Sequence, residues 1–65
     1  MEEQGSVALD SETRHNVRML RSRAGSLVAQ AAALGEPLAT AYRRRARELE
    51  LEAFVVETRG AARAA

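Results

Sequence analysis

The chain has 65 residues, with ten basic residues (all arginine) against nine acidic ones, no cysteine and a formal net charge of +1. A chain this short forms one small domain at most and buries only ~60% of the surface its unfolded form exposes. Without cysteine neither disulfides nor thiolate ligation can reinforce it, so association with another chain is the remaining remedy. The near-neutral balance points to no particular class of partner, and the longest apolar runs fall far short of the ~18 residues of a membrane span.

The chain opens on "MEEQGSVALDSE", which is acidic and lacks the apolar core of a signal peptide. The expectation is a cytoplasmic protein with a flexible N-terminal segment over residues 1–9. A helical pattern starts near Ser11. Asp10 or Ser11 can accept hydrogen bonds from the free amides of the first turn, and Glu12 suits the positive helix end. Val17, Leu20, Ala24, Leu27, Ala31 and Leu34 then step by threes and fours, a seam that fits lengthwise packing on another helix.

The stretch "LGEPLA" ends that helix. Gly35 can take the left-handed conformation after the last turn, and Pro37 is acceptable only near the start of a new helix. The second helix repeats the seam with Leu38, Tyr42, Ala46, Leu49, Ala53 and Val56, and Leu51, Phe54 and Val55 widen its apolar face. Gly60 reads as its stop. The domain expected is therefore a helical hairpin over residues 10–60, with a frayed tail over residues 61–65. A short connector makes the two helices antiparallel, an all-α two-helix hairpin whose wide apolar face implies dimerisation into a four-helix bundle.

Folding the chain about position 36 brings Arg14, Arg18, Arg21 and Arg23 level with Glu48, Glu50, Glu52 and Glu57. Solvated pairs of this kind contribute ~0.2 to 1 kcal/mol each and help set the antiparallel arrangement. Arg43, Arg44, Arg45 and Arg47 fall opposite residues 25–29, where the first helix carries no acid. Glu48 and Glu50 are the acids at helical spacing from them, and Arg43 has none three or four places away, so the cluster retains positive charge. It is a solvated face or a contact for an acidic protein or a phosphate backbone.

No arrangement of residues supports catalysis, a cofactor or a metal. His15 stands alone, without a second His, a Cys or a paired carboxylate at ligand spacing, and no glycine-rich phosphate loop is present. Glu48 and Glu52 share a helix face but lack the His that di-iron bundles place beside a glutamate. Gly25 is unexpected in a helix interior, where it costs ~1 kcal/mol relative to Ala; it either permits close packing or breaks the helix. In the second case a strand over residues 6–9 and two helices divided at Gly25 and Ser26 would sketch a ribbon-helix-helix regulator. A helix-turn-helix fits worse, because it places Gln30 and Arg44 where core residues are needed.

The sequence thus implies a small non-enzymatic interaction protein, an adaptor or regulatory subunit. It would form a homodimer and bind another protein through Leu49, Leu51, Phe54 and Val55. The alternative is a nucleic-acid-binding regulator or antitoxin using Arg43, Arg44, Arg45 and Arg47. Aromatic residues make up only 3% of the chain, which disfavours single-strand binding by base stacking and leaves duplex backbone contact.

Overall fold

The computed structural model describes residues 9–64. Two helices, α1 (Ser11–Ala31) and α2 (Leu38–Ala64), pack against each other along their length as a hairpin. Asp10 caps α1: its backbone is extended and its carboxylate accepts from the Thr13 amide at 2.7 Å, which satisfies one of the free donors of the first turn. At the other end of α1 the amides of Ala33 and Leu34 donate to the carbonyls of Gln30 and Ala31, three residues back, at 3.0 and 3.1 Å. This tightened last turn ends α1 with Ala32 still in the right-handed conformation and without a left-handed glycine. Gly35 therefore does not take the conformation expected of it.

The core between the helices is built on alanine. Ala24 and Ala31 of α1, and Ala39, Ala46 and Ala53 of α2, recur at every seventh place and are buried, together with Val17 and Leu49. Small side chains along the seam let two helices approach closely. The larger seam residues Leu20, Leu27, Leu34, Tyr42 and Val56 are only half-buried, and Leu38 stays exposed because Ala39 takes the inward position at the start of α2.

The three glycines among the described residues behave differently from expectation. α1 runs unbroken through Gly25, which is exposed, and a Cβ built there meets nothing within 4 Å, so it neither divides the helix nor permits close packing. That removes the break on which the ribbon-helix-helix sketch depends; residues 6–8 of its strand lie outside the described residues. α2 likewise continues through Gly60 to Ala64 rather than stopping there. The reason for Gly60 is packing: a Cβ on it would lie 2.8 Å from Leu9 Cδ2 and 3.1 Å from Thr13 Cγ2, so the missing side chain makes room for the start of α1. Of the N-terminal segment expected over residues 1–9, only Leu9 is described, and it is half-buried against α2.

Candidate interaction surfaces

Leu49, Leu51, Phe54 and Val55 do not form one surface. Residues two apart on a helix project about 200° from each other, so when Leu49 points at α1, Leu51 must point away. Leu49 is 1% exposed in the cluster with Ala24 and Ala46, whereas Leu51 is 63% and Phe54 58% exposed. Leu49 thus belongs to the core of the hairpin. Leu51, Phe54 and Val55 stay together at spacings of three and four on the outer side of α2, with Val55 half-buried.

The four arginines are also dispersed. Consecutive helical residues turn by about 100°, so Arg43, Arg44 and Arg45 fan around α2, and only Arg43 and Arg47 share a flank. That flank forms an open groove of about 180 Å³ with Gly25, Val28 and Glu50. Arg43 is not without an acid, contrary to expectation: its guanidinium donates to Glu36 Oε2 at 3.0 Å, a partner seven residues back in the connector and thus outside the usual helical spacings. Arg45 donates to Glu48 at 3.1 Å. Arg44 and Arg47 make no ion pair among the described residues.

Glu36 organises the start of α2. One carboxylate oxygen accepts from both the amide and the hydroxyl of Thr40, and the other accepts from Arg43. The Thr40 hydroxyl first, and then the Arg43 guanidinium, hold its carboxyl below the ordinary value. Asp10 is lowered in the same sense, chiefly by the Thr13 amide. The signal for Glu36 was present in the sequence, an acid just ahead of a helix start with a hydroxyl four residues on, where the helix field favours negative charge.

Between the helices, Arg21 reaches Glu57 at 2.9 Å and Glu50 at 3.8 Å, which joins the two charge blocks as the hairpin geometry requires. Arg14 instead donates to the Leu9 carbonyl at 2.9 Å. Arg14, Arg18, Arg21 and Glu57, with Leu9, Val17 and Ser22, line an open groove of about 610 Å³. On the opposite side of the hairpin, Leu20, Arg23, Glu52 and Val56 line a third groove of about 310 Å³. His15 is exposed, and no group of three potential metal ligands occurs among the described residues. No described helix is long and apolar enough to cross a membrane.

No protein-family model, curated protein or solved structure matches the chain. The functional reading therefore rests on these surfaces alone.

Proposed function

We propose that this chain is a small non-enzymatic interaction protein, an adaptor or regulatory subunit. In this reading it pairs with a second copy into a four-helix bundle and binds another protein through the outer face of α2. The observation that carries the reading is the stripe of Leu51, Phe54 and Val55, two of whose members are more than half exposed on a helix whose other side already packs on α1. Isolated apolar residues on a surface need no explanation, but neighbours at spacings of three and four present a partner helix with a continuous anchor. Arg44, beside this stripe on the outer side, and Arg47 on its edge supply a basic rim suited to an acidic partner.

The dispersal of the arginines weighs against the nucleic-acid alternative, since a phosphate backbone would meet two guanidinium groups on any one flank rather than four. The test compares partners retained by the wild-type chain with those retained by Leu51→Ala and Phe54→Ala, followed by titration of the purified partner. Removing one anchor should weaken that affinity at least about tenfold, the loss typical of a buried apolar anchor, with the melting temperature unchanged. Unaltered affinity in both variants, or binding lost only with Arg44→Gln and Arg47→Gln, would overturn the reading.

A further inference from the structure

We infer that the second copy packs on the side of the hairpin that carries Leu20, Leu27 and Val56, with both connectors at the same end and α1 of each copy lying on α2 of the other. This rests on the four-helix-bundle reading and specifies its interface. Gly60 lies against Thr13, and steps of seven residues keep antiparallel helices in register, so Leu20, Leu27 and Leu34 stand within about one helical turn of the level of Val56, Leu49 and Tyr42 respectively. Leu20 and Val56 line one groove, and Leu20 and Leu27 both pack on the cluster that holds Leu49. Five of these six residues are only half-covered. Leu38, 54% exposed, lies five helical turns before Val56 and therefore on the same side.

Charge selects this orientation, and the size of the face suits a second copy. A two-fold axis parallel to the helices places each residue of α1 opposite the residue of the partner's α2 that is level with it in its own chain. Arg23 then faces the partner's Glu52, its own neighbour in the groove, and Glu12 faces the partner's Arg63 by the same spacing. Neither Arg23 nor Glu52 makes an ion pair among the described residues. The hairpin measures 47 × 18 × 13 Å, one helix layer thick. A flat rectangle of 47 × 18 Å bounds its broad face, large enough to hold the ~800 Å² that each partner buries in a stable interface.

Turning the second copy end over end fits worse in either register. Centring the helices brings Leu27 onto the region of Asn16 and Glu52 onto its own counterpart. Sliding the copies until Leu20 of one meets Leu27 of the other leaves the C-terminal end of α2 uncovered. In the orientation inferred, Leu51 and Val55 face away from the bundle on both copies, so the dimer offers its partner face twice.

The chain lacks cysteine and Gly35 has open space around its Cβ position, so Gly35→Cys accepts a spin label in the connector without disturbing packing. A mass measurement in solution together with label-to-label distances decides the matter. A dimer with labels within about 25 Å, the width of a four-helix bundle, supports the inference. A dimer with labels nearer the 47 Å length of the hairpin overturns the orientation while leaving the bundle standing. A monomer at all concentrations overturns both. Leu38→Glu should weaken dimerisation at least about tenfold, the loss expected for one buried leucine, and Leu51→Glu should leave it unchanged. The reverse pattern would move the interface to the outer face of α2.

Discussion

Leu9 lies over Gly60 so closely that a methyl group on the glycine would come within 2.8 Å of the leucine Cδ2, with Thr13 Cγ2 at 3.1 Å. Gly25, also inside a helix, has nothing within 4 Å of the same position. The two glycines therefore respond differently to alanine. Gly25→Ala should stabilise the chain by ~0.5 to 1 kcal/mol, through backbone entropy and helix propensity, and raise the melting temperature by several degrees. Gly60→Ala gains the same propensity but must displace Leu9 and the stiffer, β-branched Thr13, so its melting temperature should rise less or fall. Paired thermal melts decide it: equal gains would show that Leu9 does not hold its place over Gly60.

Leu49 and Leu51 test which side of α2 forms the core. Leu49→Ala removes the largest buried side chain from a seam made mostly of alanine and should cost ~2 to 5 kcal/mol, enough to unfold a domain of this size. Leu51→Ala should stay within ~0.5 kcal/mol, because Leu51 is exposed. Urea unfolding of the two variants measures the contrast, and a large loss for Leu51→Ala would place that residue in an interface that supports the fold.

Acid should loosen both helix starts. The carboxyls of Asp10 and Glu36 lie below their ordinary values of 3.8 and 4.5 in the folded chain, so the unfolded chain binds more protons over that interval. Their stabilisation is fully present above the unfolded values and disappears as pH falls through the folded ones. The melting temperature should accordingly hold steady down to about pH 5 and decline below it, given unfolded carboxylates near 4. Glu36→Gln combined with Asp10→Asn should flatten that decline; an unchanged acid limb would assign it to other carboxylates.

Arg21 spans the hairpin to Glu57 and Glu50, yet every side chain in this cluster is more than 40% exposed. Glu57→Gln should therefore change stability by under ~1 kcal/mol, and by less in concentrated salt. Unfolding measured at low and high salt checks this. A loss of several kcal/mol that persists in salt would mean that the pair is covered by a second chain.

The hairpin was legible because both helices carry apolar residues at threes and fours, with an acid at one start and a Gly-Glu-Pro interruption between them. Periodicity does not fix the size of the seam residues that end up innermost. The alanines of both helices took most of the inward positions and left Leu20, Leu27 and Leu34 half-covered, which the pattern could not separate because both types satisfy the same spacing. The arginine run is dispersed for a related reason. Adjacency in sequence suggests a patch, but a helix spreads neighbours by about 100° each, and the acid serving Arg43 came from the connector rather than from the helix.

That dispersal gives a test between the two kinds of partner. Arg44 and Arg47 hold no acid among the described residues, whereas Arg43 donates to Glu36 at the start of α2. Arg44→Gln with Arg47→Gln should therefore leave stability within ~0.5 kcal/mol, while Arg43→Gln should lower the melting temperature. If duplex DNA binds here, log affinity falls with log salt by ~0.9 per phosphate contact, and the double change can flatten that slope by at most about two contacts. A protein held by Leu51, Phe54 and Val55 has no condensed counterion layer of that density to release, so its salt dependence should be shallower and its binding should fall with Phe54→Ala. Titration of duplex DNA and of the recovered partner across a salt series reads both. Steep, arginine-dependent duplex binding that survives Phe54→Ala would transfer the function of α2 from a protein partner to nucleic acid.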